Sequence, residues 1–214
     1  SLPVKLIGSS AGLTQGPDGA SHQSLEDISL MRGLPNMVVV SPADDVETRQ
    51  ATFAIADWPG PVYVRLGRYP VPRLFDEGYR FTIGKATTMR DGGDIAILAT
   101  GHMVCKALDA ADLLARDHIE ARVINVSTIK PLDEKMIREA ASKVQLLVSV
   151  EEHSIIGGLG SAIAEVVSGV ANTPRLLRLG VRDKFGESGL ADELLEKHRL
   201  TGKLIAEDIR RALR

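Results

Sequence analysis

A chain of 214 residues has room for one large or two small domains, and 44% hydrophobic and 25% charged residues are typical of a globular protein in water. The formal net charge of −2 provides no basic surface for nucleic acid, and no run of about 18 apolar residues could span a membrane. The sequence has no signal-peptide pattern, and its single cysteine, Cys105, cannot form an internal disulfide. We therefore expect a cytoplasmic protein that binds neither nucleic acid nor membranes.

The first 75 residues predict a thin α/β unit. Gly33 is a suitable end for the first of two amphipathic helices, and Asp44 or Asp45 can cap the second. A complete α/β domain covers both faces of its sheet with helices, and 75 residues are fewer than such a domain usually needs. Residues 1–75 are therefore expected to be a partial domain, with strands at 4–7, 37–40 and 62–65 and helices at about 25–32 and 46–57.

Residues 76–214 predict a second unit, which a proline-containing linker at about 67–78 joins to the first. A hairpin arm is expected at 79–90. Beyond it strands alternate with helices, which indicates a parallel sheet with right-handed crossovers. The expected strands are 95–98, 121–126, 146–150 and 175–179, and the expected helices are 103–117, 131–142 (with Pro131 at its start), 161–167 and a terminal helix striped by Leu204, Ile205, Ile209, Ala212 and Leu213.

The most promising polar side chains lie in residues 16–27, GPDGASHQSLED, between the first strand and the first helix. The Asp18 carboxylate and the His22 imidazole are four residues apart. Ser24 and Asp27 fit a capping box, which would start the helix just after His22 and place the histidine at the mouth of the sheet, where open α/β sheets bind ligands. Aspartate and histidine are also ordinary turn residues, so spacing alone leaves both interpretations open.

Several long motifs resemble one family. DGASHQSLED and RGLPNMVVVSPADDVET resemble the second half of the pyrimidine-binding domain of transketolases. In the second half of the chain, STIKPLDEKMI, VSVEEHSIIGGLGSAIAEV and GVRDKFGESG resemble the transketolase C-terminal domain. The resemblance runs nearly end to end. It implies an α/β fold in which a partial pyrimidine-binding unit is followed by the parallel-sheet C-terminal domain.

The resemblance implies roles for specific residues. Transketolases move a two-carbon ketol unit with thiamine diphosphate, and the histidine of their D-G-x-[TS]-H motif, matched here by His22, contacts substrate oxygens. An imidazole can donate or accept protons at neutral pH. Asp18 matches the carboxylate that hydrogen-bonds the donor hydroxyl. Arg65, at a strand end, matches the arginine that binds the substrate phosphate through its guanidinium fork. A salt bridge is the alternative role for Arg65, and Arg68 is a weaker second choice for the phosphate.

Ser10 marks a departure from the family. Many transketolases carry a second, phosphate-binding histidine at the position of Ser10, twelve residues before His22. A serine can hydrogen-bond a phosphate but brings no charge. The usual range of sugar phosphates is therefore in doubt, and the substrate could be a different phosphorylated ketose or an unphosphorylated one.

Other polar residues offer weaker sites. The glycine cluster at 157–161, GGLGS, lacks the full order of a nucleotide-binding loop and is interpreted as a tight entry into a helix. Glu151, Glu152 and His153 could ligate a metal, but they have no second ligand cluster, so we expect no metal there. Cys105 lies near a helix start, where the pKa of a thiol can fall, yet nothing nearby suggests a nucleophile.

The resemblance also implies what the sequence lacks. The family's cofactor glutamate and its aromatic residues belong to the first half of the pyrimidine-binding domain, and the G-D-G motif for diphosphate and Mg²⁺ does not occur here. We therefore expect thiamine diphosphate and Mg²⁺ in the intact enzyme, with their main binding motifs outside this chain. The chain alone is expected to be inactive, as a truncated piece or a proteolytic remnant. Its expected partners are the missing N-terminal section or subunit, a second copy in a homodimer, and sugar or sugar-phosphate substrates.

Two alternatives remain open. A deoxyxylulose-phosphate synthase or the beta subunit of a 2-oxoacid dehydrogenase shares the same two-domain tail. FGESG after GVRDK favours a transketolase over the synthase, and Arg65 favours a phosphorylated substrate over a 2-oxoacid. The third possibility is a non-catalytic dimerisation module, since the C-terminal domain carries no convincing catalytic residues.

Overall fold

The computed structural model describes residues 2–214, which form two β-sheets and seven α-helices. The elements of the first section are β1 (Lys5–Gly8), a 3₁₀ segment (Leu13–Asp18), α1 (Asp27–Gly33), β2 (Val38–Val40), α2 (Asp45–Ala56) and β3 (Val62–Arg65). The second section contains β4 (Thr87–Arg90), β5 (Ile95–Ala99), α3 (Met103–Ala115), β6 (Ala121–Asn125), β7 (Thr128–Lys130), α4 (Glu134–Ala141), β8 (Leu146–Ser154), α5 (Leu159–Val167), β9 (Arg175–Val181), α6 (Ala191–Lys197) and α7 (Gly202–Leu213).

The first sheet has the strand order β1-β3-β2-β7. Its first three strands are parallel, as the sequence predicts, and Val62 to Arg65 pair with Lys5 to Gly8. The fourth strand, β7, comes from the second section and runs antiparallel to β2. The two sections therefore share a sheet, although the sequence pattern divides them at the linker.

The second sheet has the order β4-β6-β5-β8-β9, with β6, β5, β8 and β9 parallel and β4 antiparallel at one edge. Strand β5 is buried throughout, and its side chains alternate between two cores. Ile95 and Ile97 pack with α3 and α7, whereas Ala96 and Leu98 pack with α4 and α5. Helices on both faces of a mainly parallel sheet confirm the predicted α/β fold class.

The sequence predicted caps at the starts of α2 and α1, and the structure confirms only the cap of α2. Asp44 caps α2, because its Oδ1 accepts a hydrogen bond from the Glu47 amide at 2.8 Å. The capping box at Ser24 and Asp27 is wrong. Helix α1 begins at Asp27 after Glu26, which makes no side-chain cap, and the Asp27 carboxylate is engaged elsewhere.

The structure also corrects predictions in the second section. Helix α4 begins at Glu134, and the Asp133 side chain accepts from the Met136 amide, so Pro131 does not start this helix. The expected hairpin arm at 79–90 contains only β4. The predictions omitted the 3₁₀ segment, β7 and α6. These are short elements whose partners are distant in sequence.

Strand β1 forms an edge of the first sheet, and both of its faces are open. Leu6 is 41% exposed and Ile7 is 54% exposed, although successive side chains of a strand point to opposite faces. Leu6 and Ile7 therefore leave exposed apolar surface on both faces of this edge strand. Across residues 2–214, no helix combines the length and hydrophobicity needed to cross a bilayer.

Candidate functional site

The candidate site is built on the loop that follows β1, at the carboxyl ends of β1 and β3. The Leu66 amide donates to the Gly8 carbonyl at 2.8 Å, and the Ala11 amide donates to the Leu66 carbonyl at 3.1 Å. These bonds hold Ser10 and the start of the loop beside the chain that leaves β3. The carboxyl edge of parallel strands is where open α/β folds bind ligands, so the location agrees with the sequence prediction.

Asp18 of this loop meets Arg68, which lies in the segment after β3. Arg68 Nη1 donates to Asp18 Oδ2 at 3.0 Å, and Gln15 Nε2 donates to the same oxygen. The side chains of Asp18 and Arg68 are 45% and 58% exposed, so a ligand can reach both. Gly16 and Gly19 flank Asp18 with φ of 77° and 76°, a backbone conformation that favours glycine. The loop and the segment after β3 thus present a carboxylate and a guanidinium side by side to solvent.

His22 ends the same loop with an exposed ring. Its amide donates to the Gly19 carbonyl at 3.0 Å, and its Nδ1 lies 3.0 Å from the Ser21 hydroxyl oxygen. The backbone bond ties His22 to the turn that carries Asp18. The structure therefore brings Asp18 and His22 onto one short, exposed loop, together with a cation that the sequence prediction ranked second.

Arg65 lies inside the protein and not at the exposed phosphate site that the resemblance implied. It is 6% exposed, and its Nε donates to Asp27 Oδ2 at 2.9 Å. Its Nη2 donates to the carbonyls of Ser24 at 3.2 Å and Glu152 at 2.8 Å, while Tyr63 donates to Asp27 at 2.7 Å. The guanidinium is not available to a substrate phosphate in this position, so Arg65 has the salt-bridge role that was the alternative.

Neighbouring carboxylates stabilise the charged form of Arg65. Burial by itself lowers the pKa of an arginine, but the negative charges of Asp27 and Glu152 raise the pKa of Arg65 above its usual value. Burial and the adjacent Asp27 carboxylate likewise raise the pKa of Tyr63. The result is a buried, charged network that links α1 and β3 of the first section to β8 of the second.

Gln23 is a site component that sequence reasoning missed. It is 5% exposed, and its Nε2 donates to the carbonyls of Leu13 at 3.1 Å, Gly16 at 3.2 Å and Glu187 at 2.9 Å. Three carbonyl oxygens around this atom identify it as the amide nitrogen. Its position directly after His22 was the only available signal, since spacing gives a glutamine no chemical role.

Glu151, Glu152 and His153 of β8 each contact different neighbours. Along a strand they alternate in direction, and Glu152 contacts His102 Nδ1 at 3.0 Å and accepts from the Thr14 amide. His153 is fully buried near Ser29 of α1. Over the described residues 2–214, no group of three or more His, Cys, Asp or Glu side chains is arranged to hold a metal ion.

The Glu151 carboxylate lies in the turn that the glycine cluster at 157–161 forms. It accepts from the amides of Leu159 at 2.6 Å and Gly160 at 2.8 Å, at the start of α5. Burial raises the pKa of this carboxyl group to about 7, although the two amides act against the rise. A Cβ atom on Gly158 would lie 2.0 Å from Glu151 Oε2, so the cradle is already filled. These residues fit neither the diphosphate nor the metal of a thiamine cofactor.

Cys105 has no activated thiol. Burial raises the pKa of its thiol, and Sγ lies 3.0 Å from the His102 carbonyl oxygen. The helix start does not lower the pKa as the sequence position suggested, because α3 packs Cys105 against the interior.

Two family profiles match the chain in succession. The pyrimidine binding domain of transketolase matches residues 1–72, and the C-terminal domain of transketolase matches residues 84–205. The C-terminal profile alone covers more than half of the 214 residues.

Individual relatives give the same picture. A protein of Methanocaldococcus jannaschii described as a transketolase C-terminal section is 46% identical over 210 residues, which cover 97% of this chain and 66% of that protein. The 6-deoxy-6-sulfo-D-fructose transketolase subunit of a Clostridium species is 48% identical over 204 residues, 95% of this chain and 63% of its own length. A solved split-gene transketolase, described as an inactive beta4 tetramer, superposes with a TM-score of 0.91 at 44% identity, covering 98% of this chain and 67% of that one. The chain thus spans about two thirds of the length of these relatives.

Proposed function

Because the chain belongs to the transketolase family, we propose that it is the C-terminal section or subunit of a thiamine-diphosphate-dependent transketolase. The intact enzyme would transfer a two-carbon ketol unit from a ketose or ketose phosphate to an aldose or aldose phosphate. The observation that carries this proposal is the exposed loop at the carboxyl edge of the first sheet, which holds Asp18 and His22 and which Arg68 reaches from the segment after β3.

Each of these residues has a proposed role toward a sugar. The Asp18 carboxylate, held by Arg68, accepts a hydrogen bond from the hydroxyl next to the reacting carbonyl of the donor. His22 contacts the substrate oxygens near the reacting carbon and exchanges protons with them. Arg68 binds the distal phosphate or another anionic group, and Ser10, near Leu66 at the same edge, adds a neutral hydrogen bond.

A partner polypeptide is part of the proposal. The open faces of β1 support a polypeptide that covers this edge, and the description of one relative as a C-terminal section supports an N-terminal section or subunit as that polypeptide. Since the residues of this chain fit neither the diphosphate nor the metal, the cofactor would be held mainly by that partner. The split-gene relative described as an inactive beta4 tetramer supports the expectation that this chain alone has no activity.

Reconstitution tests the proposed function. The chain is purified alone and with its cognate N-terminal section, and each preparation is supplied with thiamine diphosphate and Mg²⁺. We expect ketol transfer from a ketose or ketose phosphate to an aldose only in the combined preparation. Synthesis from pyruvate and glyceraldehyde phosphate, or pyruvate oxidation with an artificial electron acceptor, would identify one of the two alternative enzymes and refute the proposal. Activity of the chain alone would refute the assignment of the cofactor to the partner.

Arg68→Ala is expected to weaken the binding of phosphorylated substrates. A hydrogen bond to a charged group contributes about 1.5–3 kcal/mol, so KM for a sugar phosphate should rise by about 10–100-fold, while KM for the unphosphorylated sugar should change little. The free energy of unfolding should fall by less than about 1 kcal/mol, because the Arg68–Asp18 pair is exposed. Arg49→Ala, at an exposed position of α2, is the matched control. An equal rise in KM for both substrates would exclude Arg68 as a phosphate ligand.

A further inference from the structure

Residues 186–189, GESG, come from the second section but lie directly against the substrate loop of the first. The Glu187 carbonyl accepts the Gln23 amide at 2.9 Å. A Cβ atom added to Gly186 would lie 1.8 Å from Gln23 Oε1, and one added to Gly19 would lie 2.5 Å from Ser188 Oγ. The two segments therefore touch without room for another side chain between them.

Gln23 connects residues 186–189 to the rest of the loop through hydrogen bonds. The two protons of its Nε2 serve three carbonyls, those of Leu13 and Gly16 within the loop and that of Glu187 across the boundary. Leu13 and Gly16 lie in the 3₁₀ segment that ends at Asp18, and Gln23 directly follows His22. A shift of Gln23 would therefore displace the backbone on both sides of the two proposed substrate contacts.

The segment that carries Arg68 also contacts this part of the second section. Tyr69, the neighbour of Arg68, donates its hydroxyl proton to Asp192 Oδ1 at 2.5 Å, and Asp192 lies in the first turn of α6. Residues 186–189 lead directly into α6. The loop with Asp18 and His22 and the segment with Arg68 thus rest on one continuous stretch of the second section.

We infer that residues 186–189 are a positioning element, which acts through Gln23 to hold Asp18 and His22 in their substrate-binding geometry. This inference rests on the proposed function and gives the C-terminal unit a part in the reaction beyond assembly. Gln23 is buried and Gly186 carries no side chain, so we assign neither of them a contact with substrate. They fix where the substrate-contacting groups stand, and a displacement of about 1 Å in such groups can lower a rate by about 100-fold.

The test is a double-mutant cycle in the assembled enzyme with its partner, thiamine diphosphate and Mg²⁺. Gly186→Ala forces a methyl group against the Gln23 amide and should lower kcat/KM by about 100-fold, through both a lower kcat and a higher KM. Gln23→Ala removes the hydrogen bonds and should lower kcat/KM by about 10-fold, since one net hydrogen bond corresponds to roughly that factor. The Gly186→Ala/Gln23→Ala variant should have kcat/KM close to that of Gln23→Ala alone, because the amide atoms at 1.8 and 2.9 Å are gone and the remaining Cβ at 3.3 Å requires only a small shift.

Gly169→Ala is the matched control, because a Cβ atom there meets nothing within 4 Å. A purely structural role of residues 186–189 predicts lower thermal stability with normal kcat and KM for the folded enzyme, and that result would overturn the inference. Multiplicative losses in the double variant would also overturn it, since they would mean that Gly186 and Gln23 act independently.

Amide hydrogen exchange separates this inference from the proposed function. In the chain with its partner, Gln23→Ala should speed the exchange of the amides of residues 13–22 by at least about 10-fold, while Gly169→Ala should not. This readout needs no substrate. Unchanged exchange in Gln23→Ala would overturn the positioning role even in an active enzyme, whereas faster exchange in an enzyme without ketol transfer would leave the positioning role and refute only the proposed reaction.

Discussion

Arg65→Met is expected to lower the free energy of unfolding by about 3–5 kcal/mol, because it leaves the Asp27 carboxylate buried without its cation. Only 6% of the Arg65 side chain and 8% of the Asp27 side chain are exposed, so water cannot replace the lost partner. Tyr63 would still donate to Asp27, but a neutral hydrogen bond does not neutralise a buried charge. Urea denaturation of the purified chain measures the change.

Two further variants define the cause. Asp27→Asn/Arg65→Met removes both charges and should recover at least half of the lost stability, since replacing a buried pair is much less harmful than breaking it. Arg68→Met, which breaks an exposed pair, should change the free energy of unfolding by less than about 1 kcal/mol. If Arg65→Met left the stability intact and raised only KM for sugar phosphates, Arg65 would be a substrate ligand after all.

His22→Ala is expected to lower kcat of the assembled enzyme by about 10²–10⁴-fold, the usual contribution of a general acid or base. The stability should not change measurably, because the ring is exposed and its hydrogen bond to the neighbouring Ser21 is exposed as well. His22→Asn separates two roles of the imidazole. If hydrogen bonding to substrate oxygens suffices, asparagine should restore most of the activity, and if proton transfer is required, it should not.

His118→Asn is the control for a histidine substitution. His118 is exposed in a turn with φ of 60°, a conformation that asparagine tolerates well. This variant should keep full activity and stability. A normal kcat in His22→Ala would exclude the histidine from the reaction and leave the loop a binding surface at most.

Hydrophobic patterning predicted most of the fold. The continuous apolar runs that became β5 and β8 are buried on both faces, and the α3 stripe of Ala107, Ala111 and Leu114 faces the core as its period required. Strand β7 was not predictable in this way. It has only three residues, and its pairing with β2 joins Lys130 to Val39, which lie far apart in the sequence. No local pattern encodes such a contact.

The two arginines show why the site was only partly predictable. Asp18 and His22 follow from the loop motif, and the structure does place them on one exposed loop. Arg65 was preferred to Arg68 because it ends a strand. However, the strand period places Arg65 on the face of Tyr63, beneath α1, and that face is buried. All four residues of β3 are buried, so alternation along the strand could not show which of its faces a ligand reaches, and only the folded loop shows that Arg68 reaches Asp18.

The pairing of β2 with β7 also sets an order of events during translation. Residues 38–40 leave the ribosome long before residues 128–130, so the first sheet remains one strand short while the intervening part of the second sheet is being made. Contacts between residues so far apart form late, because the loop between them must close first. A gene fragment cut at the linker would encode a sheet whose β2 edge is bare, and bare edges favour aggregation. The first section is therefore a poor candidate for domain shuffling, despite the clear linker at residues 67–78.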